Sequence, residues 1–182
     1  MPIRVTVFGS ARVAPDSEEY QDAVRLGKIL AERGDIIVSG GYGGIMEAVS
    51  RGAHEAGGRV VGVTVAPWVG RLAPNRYLSE ERSAQTLFER LEALIESDGL
   101  IALPGGAGTL GEVALAWNLR QMHLMPQKPT IVVGRRWRRL LDAFRAELIV
   151  SDHDLALLTH VDTVEEAVTA LETAQPAGEW YG

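Results

Sequence analysis

The 182-residue sequence contains no cysteine. That absence excludes disulfides, iron–sulfur clusters, thiolate zinc sites and a cysteine nucleophile, and it fits a reducing compartment. Lysine is nearly as scarce, because of 18 basic side chains only Lys28 and Lys128 are lysine. Amine chemistry such as a Schiff base is therefore limited to two positions. No apolar run approaches the roughly eighteen residues of a membrane helix. The start, Met1-Pro2-Ile3-Arg4-Val5, enters a strand pattern at once and lacks a signal-peptide layout. Positive charge is also in short supply. The net charge of −6 argues against a general nucleic-acid binder, which presents a basic face. One local run, Arg135-Arg136-Trp137-Arg138-Arg139, reads as a solvated basic patch or as a helix start facing a phosphate or an acidic partner. His54, His123, His153 and His160 show no zinc spacing, so no metal site is expected. The expectation is a soluble, cytoplasmic protein with neither a membrane nor a nucleic-acid partner.

What the sequence does have is apolar content and glycine. Hydrophobic residues make up 46% and charged residues 23%, the balance of a folded chain. The 20 glycines exceed the usual share of about 7% without any collagen-like period. Short β-branched runs alternate with helical patterns from end to end. Strands are expected at Ile3–Phe8, Asp35–Ser39, Arg59–Val65, Gly99–Leu103, Pro129–Val133 and Leu155–His160. Helices are expected from the Asp16-Ser17-Glu18-Glu19 start to Arg33, and over Ile45–Glu55, Thr86–Glu96, Thr109–Met122, Trp137–Leu148 and Val164–Thr173. Residues 66–84, with Pro67, Gly70, Pro74 and Asn75, read as an irregular surface loop able to cover a site. Residues 174–182 read as a frayed tail. The fold class is α/β: a single doubly wound, Rossmann-like domain spanning residues 1–182. It should have a mainly parallel sheet with helices on both faces.

Ligands bind such sheets beyond the carboxyl ends of the strands, where three glycine motifs fall. They are Phe8-Gly9-Ser10-Ala11-Arg12, Ser39-Gly40-Gly41-Tyr42-Gly43-Gly44-Ile45-Met46, and Pro104-Gly105-Gly106-Ala107-Gly108-Thr109-Leu110-Gly111-Glu112. The last two open directly onto helices, whose first N–H groups and positive dipole ends attract phosphate. Tight βα turns would use the same glycines, but two dense clusters at strand ends favour nucleotide or phosphate binding. Neither cluster carries the Lys-Ser/Thr of a Walker loop or a good dinucleotide fingerprint. Glu112 has two readings. With Thr109 it fits a T-x-x-E capping box, and as a carboxylate beside a phosphate site it could meet ribose hydroxyls or orient a water.

The nine residues Pro104–Glu112 resemble the PGGxGTxxE signature of the "lonely guy" (LOG) family of phosphoribohydrolases, whose members often carry the label possible lysine decarboxylase. The resemblance extends from Phe8-Gly9-Ser10 through Gly-Gly-x-Gly-Gly-Ile-Met to the helix after Glu112. It implies a Rossmann-like fold, a homodimer, and cleavage of a (purine) nucleoside 5′-monophosphate to free base and ribose 5-phosphate. No cofactor is implied. By this resemblance Glu112 and Arg90 are catalytic, while Ser10, Gly41, Gly43, Gly44, Met46, Gly105, Gly106, Gly108 and Thr109 bind the substrate and its phosphate. Arg12 helps line the pocket. The family's Met-His-x-Arg-Lys segment is replaced here by Thr86-Leu87-Phe88-Glu89-Arg90-Leu91, without Met or His. The arginine role falls on Arg90, with Arg82 as the alternative. Relatives sharing the glycine signatures include a molybdenum-cofactor carrier, so a non-hydrolytic nucleotide- or molybdenum-cofactor-binding protein is the second expectation. A pyridoxal-dependent decarboxylase is disfavoured, because Lys28 falls inside the first helix and Lys128 just before a strand, both away from the glycine-rich ends. Trp117, Met122 and Met125 follow the signature and would suit a dimer interface or the core.

Overall fold

In a computed structural model, which describes residues 2–66 and 72–173, seven strands form one all-parallel sheet in the order β4-β3-β2-β1-β5-β6-β7. The strands are β1 (Arg4–Phe8), β2 (Ile36–Ser39), β3 (Arg59–Val65), β4 (Glu80–Ala84), β5 (Gly99–Ala102), β6 (Thr130–Val133) and β7 (Thr159–Val161). The helices are α1 (Glu18–Glu32), α2 (Ile45–Glu55), α3 (Leu87–Ile95), α4 (Ala107–Gln121), α5 (Arg135–Glu147), α6 (Asp152–Leu155) and α7 (Val164–Thr173). The doubly wound α/β expectation is met.

Alternating side chains of the inner strands enter two separate cores, as pleating requires. Val5, Val7, Ile37, Ile101 and Ile131 pack under α1, α2 and α7. Phe8, Val38, Val63, Leu100 and Val132 pack under α3, α4 and α5. Burial on both faces explains why these strands read as continuous apolar runs rather than alternating ones. Local signals set the helix ends. Ser17 caps α1 by accepting from the Tyr20 N–H at 3.2 Å, and Thr86 caps α3 by accepting from Glu89 at 3.1 Å.

Three expectations need correction. The stretch before residue 84 is not wholly irregular: Glu80–Ala84 pairs in parallel with β3 as an edge strand. Its charged, exposed sequence hides the strand period, and ion pairs such as Arg59–Glu80 at 2.6 Å fasten it. Pro67 and Gly70, also expected in that loop, lie outside the described residues, as does the 174–182 tail. The run Leu155–His160 is not one strand. Ser151 and Asp154 form a capping box that starts α6, and only Thr159–Val161 joins the sheet. Helix α4 begins at Ala107, two residues before Thr109, a shift that matters for the site. Among the described residues, no helix is long and apolar enough to cross a membrane.

Candidate active site

The chain leaves β1 on one side for β2 and returns on the other at β5, so the connections after β1 and β5 diverge. That divergence opens a crevice at the carboxyl ends of the strands, the usual ligand position in open α/β sheets. Here it is a cavity of about 510 Å³. The β1–α1 turn supplies Ser10 and Arg12, the β2–α2 turn Gly40 and Tyr42, α2 Met46, and α3 Arg90. The β5–α4 turn and α4 supply Gly106, Gly108, Thr109 and Glu112.

Short main-chain bonds hold these turns together. The Ser10 N–H donates to Pro104 O at 3.2 Å, and the Ile45 N–H donates to Ser10 O at 2.9 Å. Gly44 permits the second contact. It adopts φ +64°, and a Cβ there would collide with the Ser10 carbonyl and the Ala11 backbone. Asn75 ties the β3–β4 connection to the same turn, its side-chain amide donating to Tyr42 O at 3.1 Å.

The start of α4 is open. Gly106 is its N-cap and offers no side-chain bond to the first turn, and added Cβ atoms at Gly106 or Gly108 would meet nothing within 4 Å. Such an uncapped N-terminus presents orphan N–H donors and a partial positive charge to the cavity.

Because α4 starts at Ala107, Thr109 lies within its first turn and Glu112 in its second. The capping-box reading of Glu112 is thereby overturned. Glu112 instead lies 3.5 Å from Arg90 Nη1, with the two side chains only 12% and 7% exposed. Arg90 Nε donates to Val63 O at 2.8 Å and Nη2 donates to Gly40 O at 3.3 Å, so the guanidinium is anchored to the ends of β2 and β3. It also lies 5.9 Å from the centre of the Tyr42 ring. Burial lowers the Arg90 pKa, opposed by Glu112 and Tyr42, and a guanidinium remains charged throughout the accessible pH range. Burial pushes the Glu112 carboxyl up to about 7, against the opposing pull of Arg90.

The structure thus brings Ser10, Met46, Arg90, Gly106, Gly108, Thr109 and Glu112 to one cavity. Gly41, Gly43, Gly44 and Gly105 support its walls without lining it. The β2–α2 turn contributes its first glycine, Gly40, rather than a full ring of amides. Arg82 is not an alternative to Arg90, since it sits on edge strand β4 and pairs with Glu96 at 3.3 Å. Tyr42, which the sequence reading placed only within its glycine motif, lines the cavity as well. Tyr42 is the one non-glycine in the run from 40 to 44, which marks a side chain with a task; it accepts from the Val65 N–H at 3.0 Å.

The lysines sit elsewhere. Lys28 pairs with Glu32 at 3.7 Å on exposed α1. Lys128 donates to Ile95 O and Ser97 O at 2.7 and 2.6 Å, closing the end of α3. The arginine run opens α5, where Arg136 pairs with Glu19 and Arg138 with Asp162, while buried Trp137 donates to Leu103 O.

Comparison with known proteins gives a consistent family. The family described as "Possible lysine decarboxylase" matches residues 46–171. A rice (Oryza sativa subsp. japonica) protein named "Cytokinin riboside 5'-monophosphate phosphoribohydrolase LOG" is 33% identical over 184 aligned residues, covering 97% of this chain and 75% of the rice protein. The rice protein LOGL5 is 39% identical over 127 residues, 68% of this chain but only 52% of that relative's length. Among solved structures, the molybdenum cofactor carrier protein MCP from Chlamydomonas reinhardtii superposes with a TM-score of 0.74 at 25% identity, covering 94% of this chain and 97% of that one.

Proposed function

This chain belongs to the LOG family, and from that premise we propose that it hydrolyses the N-glycosidic bond of a purine nucleoside 5′-monophosphate such as AMP. The products are free base and ribose 5-phosphate. One observation carries the reading: a buried carboxylate, Glu112, shares a cavity with the uncapped N-terminus of its own helix. The helix start and Arg12 suit a phosphate, and the apolar walls formed by Phe8, Tyr42 and Met46 suit a base.

Breaking the C1′–N bond leaves positive charge on the sugar while the base departs with the bonding pair and takes up a proton. Water then adds at C1′ and loses a proton. Ionised Glu112 stabilises the cationic sugar and orients that water, as carboxylates do in glycoside hydrolysis. Three of the five Arg90 N–H donors face Val63 O, Gly40 O and Glu112, and in this reading its work is to hold and charge-balance the carboxylate. Pyridoxal-dependent decarboxylation is the poorer reading, because neither lysine reaches this cavity.

A homodimer accompanies this reading. Leu87 and Phe88 at the start of α3 and Leu110 on α4 are exposed apolar residues on two helices that also line the cavity.

The test is incubation of the folded protein with AMP and chromatography of the products. Adenine with equimolar ribose 5-phosphate is expected, and intact substrate across a panel of nucleotides overturns the proposal. The likeness to a molybdenum cofactor carrier supports a second reading, binding without hydrolysis. Strong thermal stabilisation by a pterin phosphate, with no product from any nucleotide, favours that one.

A further inference from the structure

We propose that Gly40 is a positioning residue, whose bare Cα leaves the space in which the Arg90 guanidinium lies against Glu112. This rests on reading Glu112 as the carboxylate of the site.

Gly40 is not glycine for conformational reasons. It is absent from the described positive-φ glycines, which include its neighbours Gly41 (+77°) and Gly44 (+64°). Its backbone is therefore open to other residues, and the requirement is one of space. A Cβ at position 40 would overlap Arg90 Nη2 and Met46 Sδ and would stand 3.3 Å from Arg90 Cζ. Two other tightly placed glycines, Gly27 and Gly52, meet main chain instead. Gly27 faces the backbone of α2, and Gly52 faces that of α1, so a side chain at either would force two helices apart. At Gly40 the colliding atoms are the tips of two flexible side chains. The fold can therefore yield to alanine where the site cannot.

The consequence follows from how Arg90 is held. Its Nη2, the atom in the way, is the one that donates to Gly40 O, and Nη1 on the same guanidinium faces Glu112. A rigid planar group displaced at one nitrogen moves at the other. The charged and titratable groups concerned are few: Glu112 is faced by Arg90 from α3, and Arg90 by Glu112 from α4 and Tyr42 from the β2–α2 turn. Arg12 lines the same cavity from the β1–α1 turn. Retreat of Arg90 thus removes the cation that favours the ionised carboxylate.

The experiment is a 13C NMR titration of the Glu112 carboxyl in the full chain, comparing wild type, Gly40→Ala, Arg90→Ala and the double variant. Gly40→Ala should raise proton affinity at Glu112 by about tenfold or more, one pKa unit. In the Arg90→Ala background the same substitution should change it by no more than about twofold. An unmoved titration in Gly40→Ala overturns the proposal, as does an equal shift without Arg90. If Gly40→Ala alone fails to fold but the double variant folds, the collision with Arg90 is supported. Failure of both overturns it. The titration needs no substrate, so absence of AMP turnover by wild type overturns the hydrolase reading and leaves this test intact.

Discussion

Arg90 Nη1 on α3 and Glu112 Oε1 on α4 lie 3.5 Å apart, and both side chains are almost closed to solvent. The pair joins two helices that flank β5, and it places the carboxylate that ends the Pro104–Glu112 motif beside a charge that is itself tied to β2 and β3. Glu112→Gln keeps the shape and an acceptor for Arg90 while removing the negative charge. On the proposed mechanism kcat for AMP falls by about 100- to 1,000-fold, the range found when one preorganised electrostatic group is lost. The melting temperature stays within a few degrees, because a buried neutral amide costs less to desolvate than a carboxylate. Steady-state kinetics and a thermal melt on the same preparation check both halves.

Activity and stability should respond to pH in opposite directions. The carboxyl of Glu112 titrates near 7, so the ionised form required by the mechanism accumulates as pH rises through 7, and kcat/KM should climb over that range to a plateau. For stability, the folded pKa lies above the ordinary value of 4.5. The contribution is therefore fully present below about 4.5 and is lost as pH rises through 7, to a total of about 3 kcal/mol. Denaturant melts of wild type and Glu112→Gln between pH 4.5 and 8 isolate this part. The gap between them should change in favour of the glutamine variant as pH rises, and parallel curves refute the assignment.

Most of the scaffold was legible because its signals are local. The β-branched strand runs, the Ser17 and Thr86 caps and the glycine-rich turns each specify an element without reference to the rest of the chain. The boundaries of α2, β3 and α7 are as read from sequence. Strand β4 was hidden because an edge strand with Glu80, Glu81 and Arg82 presents charge to solvent rather than an apolar alternation. The site was half legible. Spacing suggested that Thr109 and Glu112 cap a helix, and family resemblance suggested a catalytic carboxylate. The start of α4 at Ala107 removed the first option, since Gly106 takes the cap position. In sequence Arg90 was a candidate for the arginine role beside Arg82; only the convergence of β2, β3 and α4 on one point identifies it as a buried partner.

Arg12 should govern affinity for the phosphate. It lines the cavity, and among the described residues its side chain makes no ion pair, whereas Arg90 is already matched by Glu112. Arg12→Ala should weaken ribose 5-phosphate binding by about tenfold or more, the scale of one charge-assisted hydrogen bond. Raising salt should narrow the difference, as expected for an exposed cation. Calorimetric titration with ribose 5-phosphate and with ribose separates the effects. Equal losses for the two ligands would assign Arg12 to the sugar or to the turn itself, and unchanged affinity would remove it from the phosphate site.

Self-association is the last expected outcome. Phe88 is 81% exposed, and Leu87 beside it on α3 is 50% exposed. Leu110 adds a partly exposed side chain from α4, which also exposes Gly111 and Ala114, so this helix carries little charge on its outer side. Large apolar side chains left in water are unfavourable by about 1.5–3 kcal/mol each relative to burial. In a two-fold symmetric contact each such residue is buried twice, so a single substitution is doubled in effect. Sedimentation velocity of the wild-type chain at micromolar concentration should give a dimer, and Phe88→Asp should give a folded monomer with an unchanged circular dichroism spectrum. A wild-type monomer at that concentration rejects the homodimer, and a Phe88→Asp dimer moves the contact to another face.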